Sequence, residues 1–338
     1  MLLGYASRRL AAVAGLAAAA TLMVFLIAHA VPADPVVAML GDRAASDPAT
    51  VARFRAHWGL NKPLWQQYVI FLGGLTRGDL GESIITRRPV LHDIAQFAPA
   101  TVELATTAAI MAALLGVLLG VVASVRRDSW IDHVARSLSL IGTAAPTFWL
   151  AFLMLALFYG GLQVAPSPGR LALSESPPPM VTGLYTVDSL IAGEYANFLA
   201  SLAHLIMPGA VLAAATLGLI TRTMRASMLE ILGKEYINVA RAKGLREVSV
   251  IRKHAVRNAL IPVVTLGGLA YAELLSGTVL TETIFAWPGL GRYTFQSAVG
   301  LDFPAILGIT LLVALVYLMI NLVVDLSYAF LDPRVISE

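Results

Sequence analysis

The sequence predicts an all-α, polytopic integral membrane protein with six transmembrane helices. Three observations carry that expectation. Of 338 residues, 58% are hydrophobic and 13% are charged, against about 25% charged in soluble domains. Mean hydropathy is +0.76. Apolar runs of the roughly 20 residues that cross a bilayer recur six times. The formal charge of +3 is too small to indicate nucleic acid as a partner; membrane lipid is expected instead. Cysteine is absent, which excludes disulfides, thiolate catalysis and thiolate metal sites.

The six runs come in order. The first spans Leu10–Val31, after Arg8-Arg9. The second spans Thr101–Val125 and stops at Arg126-Arg127-Asp128. The third, Val134–Gly160, has Pro146 inside, and the fourth, Phe198–Thr221, has His204 and Pro208 inside. The fifth is Ala259–Thr283; the sixth, Ala305–Leu331, stops at Asp332-Pro333-Arg334. The first run superficially resembles a secretory signal peptide. Its length exceeds the typical h-region of about 7–15 residues, so it reads as a retained span.

An even number of spans puts both termini on one side. That side, with the segment 222–258, collects 15 Lys/Arg, and the other side collects nine. Seven of the nine lie in one loop of nearly seventy residues, a length at which the positive-inside rule weakens. The termini are therefore expected in the cytoplasm. Three regions follow: 1–31, the cytoplasmic N-terminus and first span; 32–99, an external loop region; and 100–338, a five-helix core. Within the external region, Asp47 and Pro48 suit the start of a helix, and Trp65, Tyr68 and Phe71 suit a membrane interface. The segment Gly161–Asn197 contains Pro177-Pro178-Pro179 and is expected to be external and irregular.

The cationic segment 222–258 is no flexible linker, which would be rich in Gly and Ser. Glu230 and Lys234 form a favourable i,i+4 pair. Arg241 and Lys243 complement a helix carbonyl end, and Gly244 suits a left-handed cap. Glu247 suits the positive start of a second helix. Two short helices should meet at Gly244, and small Ala240 and Ala242 would let another protein's backbone approach. A solvated orienting loop is the plainer alternative.

The runs YINVARAKGL (236–245) and RKHAVRNALIPVVT (252–265) resemble the coupling loop of ABC importer permeases of the peptide/nickel class. Of the general Glu-Ala-Ala, x3, Gly pattern, Ala240 and Gly244 are kept. Further strings resemble the same class along the chain: VPADPV (31–36), LNKPLWQQY (60–68), RGDLGESI (77–84), PATVELA (99–105), APTFW (145–149), ETIFAWPGLGR (282–292) and LVVDLSYAFLDPR (322–334). The type resembled is the one with a long first external loop.

The resemblance implies the fold of a type I ABC importer permease in a bacterial inner membrane, working in peptide transport. It implies a second homologous permease subunit, two ATPase subunits that bind ATP and Mg, and an extracytoplasmic solute-binding protein. Asn238, Val239, Ala240, Arg241, Ala242, Lys243, Gly244 and Leu245 would form the ATPase-coupling helix. The chain is expected to be non-catalytic and without a cofactor: Gly233-Lys234 is followed by Glu235, so no phosphate-binding loop exists. Candidate lining residues of the translocation pathway are Glu273, Pro146 and Pro208. Ionisable groups inside membranes are costly and often functional, and Pro-bent helices often line cavities. For Glu273 the alternative is an acid satisfied by Tyr271, Ser276 or a partner helix; for the prolines it is ordinary packing. Glu282 reads as support for the following turn, Glu103 as interfacial, and Asp325 as paired with Arg334 or a basic loop. No metal site is expected. Two other classes compete. A secondary transporter predicts inverted repeats, which the sequence lacks. An intramembrane enzyme needs a catalytic constellation, and neither H-E-x-x-H nor G-x-S-x-G is present.

Overall fold

The computed structural model describes residues 2–30, 47–57 and 61–331. The VPADPV string and the expected Asp325–Arg334 pairing lie outside the described residues. Among them, regular structure is helical, with one isolated bridge between Glu82 and Pro89. The order is α1 (Leu2–Ala30), α2 (Pro48–His57), α3 (Leu64–Leu75), α4 (Val90–Val125), α5 (Trp130–Ala144), α6 (Thr147–Gly161), α7 (Tyr185–Ile191), α8 (Tyr195–Leu232), α9 (Glu235–Ala242), α10 (Glu247–Ser276), α11 (Val279–Ile284), α12 (Leu290–Val299) and α13 (Phe303–Leu331). The second half of α6, Leu155–Gly161, and the Val250–Val256 stretch of α10 are π-helical.

Among the described residues, five helices are long and apolar enough to cross a membrane: α1, α4, α8, α10 and α13. The sixth crossing is α5 with α6, which meet at 109°. Contacts along α8 make this pair one crossing. Asp132 of α5 pairs with Arg225, a Cβ at Gly142 would strike the Ala214 carbonyl, and Ala151 of α6 packs with Met207 and Val211. The chain thus climbs α8 from its last turns towards its first. Pro146 is therefore not inside a helix; it begins α6 with φ −60° and ψ 133°. Ala145 before it is extended (φ −73°, ψ 130°), as a residue preceding proline prefers.

Helix ends also depart from the expected spans. The helices α4 and α8 have 36 and 38 residues, about 55 Å at 1.5 Å per residue. That exceeds the roughly 30 Å hydrocarbon core, so both project beyond it. Arg222 and Arg225, expected in a loop, extend α8. The fifth crossing ends at Ser276, and Val279–Ile284 is a separate short helix. Near the start of the chain, Asp47 accepts from the Ala49 amide at 3.1 Å to begin α2. Helix α1 packs along α13 and meets α3 through Thr21 and Tyr68, 2.9 Å apart.

Helix α8 is the centre, with α4 on one side and α5 on the other. Within lipid there is little hydrophobic drive between helices, so small residues that allow close backbone approach matter most. Ala108, Ala112, Gly116, Gly120 and Ser124 recur every four residues along α4, and all are buried. A Cβ at Gly120 would lie 2.8 Å from the Thr221 carbonyl oxygen, and one at Gly116 2.8 Å from Ile220. Gly142 and Gly218 perform the same service between α5 and α8. Arg225 closes that second contact, donating from Nε and Nη2 to both oxygens of buried Asp132 at 2.7 Å.

At the opposite end of the bundle, polar groups bind the loops to the helices. The segment 161–194 is not irregular throughout: α7 lies in it, and two buried acids fix its course. Glu103 of α4 forms a buried ion pair with Arg170 and accepts from the Thr186 amide and hydroxyl, each at 2.7 Å. Arg170 donates to the Gly183 carbonyl at 2.9 Å, and its guanidinium stacks 3.5 Å above the Tyr185 ring. Glu103 is thus a buried anchor rather than an interfacial group. Asp188 gathers the Val181, Thr182 and Gly183 amides. Burial opposes its charge, but the amide and hydroxyl of Thr182 and the other amides outweigh that and hold its carboxyl below the usual range. Glu282 supports the turn after α11, as expected. It is fully buried and accepts from Thr101 Oγ1 at 2.6 Å and the Arg292 amide at 2.9 Å. Trp287 Nε1 donates to the Ala100 carbonyl at 2.8 Å.

Two outcomes test this account. Gly120→Leu should destabilise the purified complex by about 2 kcal/mol or more through overpacking, measured as loss of monodisperse protein on heating. Gly267→Ala, in open space on α10, should be neutral. Arg170→Met should cost about 3–5 kcal/mol by stranding Glu103, and adding Glu103→Gln should recover part of it. A melting temperature unchanged by Arg170→Met would overturn the anchor.

Candidate functional site

The segment 235–247 forms a sharp elbow, built as the sequence suggests. Lys234 pairs with Glu230 at 2.8 Å where α8 ends. Helix α9 then runs to Ala242 and stops at Gly244, whose φ is +76°. The Gly244 amide donates to the Arg241 carbonyl at 2.9 Å, and the Leu245 amide to the Ala240 carbonyl at 3.4 Å. This is the Schellman pattern, in which a left-handed residue lets the last carbonyls find donors. Arg241 then reaches across the corner to Glu247, with Nη2 and Nε at 2.7 and 3.2 Å from its oxygens. The Glu247 hydrogen bond raises the Arg241 pKa from its already high value, so the guanidinium stays charged. The pair is exposed and adds little stability; its effect is to hold the corner angle.

The faces of α9 divide sharply. Ile237 and Ala240 are buried against a core that includes Val250, Ala255 and Ala259 of α10. Asn258 Nδ2 donates to the Tyr236 hydroxyl at 3.1 Å, tying the elbow to α10 again. Asn238, Val239, Arg241, Ala242, Lys243, Gly244 and Leu245 are exposed. Ala240 is therefore taken by the chain's own packing, and Ala242 alone of the two alanines is open to another protein. No atom lies within 4 Å of a Cβ at Gly244, so its constraint is the backbone angle and not space. Together Val239, Ala242 and Leu245 give a small apolar face rimmed by cations, held at fixed angle to the bundle.

The remaining candidates lie elsewhere. Pro208 is buried in α8 beside Gly209, where α8 meets Thr107 and Met111 of α4. Pro146 is exposed at the α5–α6 break. Glu273 is exposed in the last turn of α10, far along that helix from the elbow. Sequence reasoning missed the Glu103–Arg170 and Asp132–Arg225 pairs, whose partners lie 67 and 93 positions apart. It also missed the small-residue ridge of α4, for which GVLLG (116–120) was a signal in plain view. No cluster of three or more potential metal ligands occurs among the described residues.

Comparison with known proteins accounts for nearly the whole chain. Residues 116–337 match the family described as binding-protein-dependent transport system inner membrane component, and residues 1–105 match its N-terminal companion. A probable D,D-dipeptide transport system permease protein, DdpB of Escherichia coli K12, is 44% identical over 311 residues, covering 92% of this chain and 91% of that protein. The dipeptide transport system permease protein DppB of the same organism is 42% identical, covering 93% of each. The DppB of Alkalihalophilus pseudofirmus is 40% identical, covering 99% of each. With six apolar crossings, a rigid elbow and matches of this extent, the chain belongs to the inner-membrane permease components of binding-protein-dependent transport systems.

Proposed function

We propose that this chain is a permease subunit of an ATP-driven importer of dipeptides or closely related short peptides. The observation that carries the reading is 40–44% identity to dipeptide permeases over at least nine-tenths of the chain. Shared length matters as much as identity, since both the elbow and the far-end loops fall within the matched residues.

The elbow supplies the coupling device. Asn238–Leu245 seats in a groove of one ATPase subunit, which holds ATP and Mg, while this chain hydrolyses nothing itself. The exposed apolar face of α9 provides contact, and the exposed cations rim it. Closure of the ATPase pair then moves α9 and α10 as one body. A second, homologous permease subunit covers apolar surface that this chain leaves open, and an extracytoplasmic binding protein delivers peptide to the opposite end. The elbow and both termini face the cytoplasm of a bacterium, as the distribution of Lys and Arg supports. Glu273 and Pro146 border the translocation pathway, and Pro208, buried within α8, lies behind it. The secondary-transporter alternative has no comparable support, and co-purification of ATPase subunits separates the two.

Substitution at Gly244 tests the coupling role. A positive φ is tolerated by Asn, strained for Ala and worst for a β-branched residue. Peptide uptake by the intact complex should fall in the order Gly244→Asn, Gly244→Ala, Gly244→Val. The valine variant should lose at least tenfold, with ATPase activity uncoupled or the ATPase subunits lost on purification. Normal uptake and normal complex yield for Gly244→Val would defeat the coupling assignment.

A further inference from the structure

One acid in a membrane crossing has no compensating charge. Glu273 is exposed in the last turn of α10, and no polar partner reaches its carboxylate among the described residues. The two side chains best placed in sequence to satisfy it are engaged elsewhere. Tyr271 and Thr106 share a hydrogen bond of 2.9 Å between their hydroxyls. Ser276 Oγ donates to main-chain carbonyls, Ala272 at 3.2 Å and Glu273 itself at 3.1 Å. Two arginines of this end are also committed: Arg170 to Glu103 and Gly183, and Arg292 Nη1 to the Ala286 carbonyl at 2.9 Å.

Position makes the carboxylate still less comfortable. The carbonyl end of a helix carries roughly half a negative charge, so an anion in the last turn is repelled by its own helix. At helical spacing on the same face of α10, Leu269 and Pro262 are also exposed, so the carboxylate stands on a side of the helix that this chain leaves uncovered. Lipid is a poor cover for a face that carries an anion. The location therefore calls for water and a cation together.

We propose that Glu273 binds the primary ammonium group of the transported peptide as it enters the crossing. This rests on the reading of the chain as a peptide permease subunit. The chemistry fits that cargo: every unblocked dipeptide carries an α-ammonium, whatever its side chains. A carboxylate at the negative helix end recognises this shared group and leaves the side chains unread. The Tyr271–Thr106 bond ties the last turn of α10 to α4, three positions from Glu103, so the site lies just inside the anchored far-end loops. From there a peptide released at the mouth would meet Glu273 first.

The test uses the whole complex in proteoliposomes, with its binding protein, ATP and radiolabelled Ala-Ala. Glu273→Gln keeps size and polarity and removes charge. It should lower uptake at least tenfold, while complex yield stays within twofold of wild type. Glu273→Asp should retain most uptake, because the charge remains. Uptake by Glu273→Gln within twofold of wild type overturns the proposal. So does parallel loss of uptake and complex yield, which would make Glu273 a structural counter-ion for a neighbouring subunit. A wild-type complex that imports no Ala-Ala would instead defeat the peptide reading on which the proposal stands.

Discussion

Close approach of α4 to α8 is the constraint on which the remaining structure depends. Two helices in hydrocarbon gain little from burying apolar side chains against each other, because lipid offers the same environment. They gain from dispersion contacts, which fall away within an ångström. The Ala108-to-Ser124 ridge removes side-chain bulk along five successive i,i+4 positions, letting the backbones meet. With that contact made, α8 presents its other side to α5 through Gly218, and the far end of α4 is set beside Trp287 and Leu290. A single enlarged residue on the ridge would move all of these together.

Charge acts differently at the two ends of this contact. The Asp132–Arg225 pair joins α5 to α8, and Glu103–Arg170 joins a proline-rich loop to α4. Such pairs are weak sources of net stability, since desolvation offsets much of the attraction. Their geometry is demanding, however, and that is their value here. Arg225 engages both Asp132 oxygens, which fixes one register of α5 along α8. Arg170 is committed at once to a carboxylate, a carbonyl and a ring face, which leaves the loop one course over the helix ends. Packing supplies the energy, and the ion pairs choose among the arrangements that packing permits.

What could be read from sequence divides along the same line. Six crossings, the start of α2, the Glu230–Lys234 pair and the left-handed Gly244 were all legible, because each depends on neighbours within a few residues. The Val134–Gly160 span was legible as a crossing but not as a broken one. A proline inside an apolar run can be absorbed by a kink or can end a helix, and the packing of α6 on α8 decides which. Arg170 and Glu103 carry no sequence signal for each other, because nothing local relates residues from a loop and a distant helix. Glu273 was legible as an anomaly. Its helix-end position and the prior commitments of Tyr271 and Ser276 required coordinates.

The elbow and Glu273 lie at opposite ends of one continuous element, and this links the two proposals mechanically. Helix α10 runs 30 residues from Glu247 to Ser276, about 45 Å at 1.5 Å per residue. Its first turns carry Ile237 and Ala240 of α9 in a shared core. Displacement of α9 by a bound neighbour must therefore be passed to α10, because packed cores resist partial adjustment. Besides Pro262 within it, the element has a π-helical stretch at Val250–Val256, where hydrogen bonding is locally irregular. A push at the corner can thus be taken up as rotation of α10 about that stretch. Rotation of the rod would turn the Glu273 carboxylate relative to α4, with the Tyr271–Thr106 hydrogen bond given up. Under the two proposals, coupling between nucleotide state and cargo affinity requires no long chain of contacts, only one helix with an elbow at one end and an acid at the other.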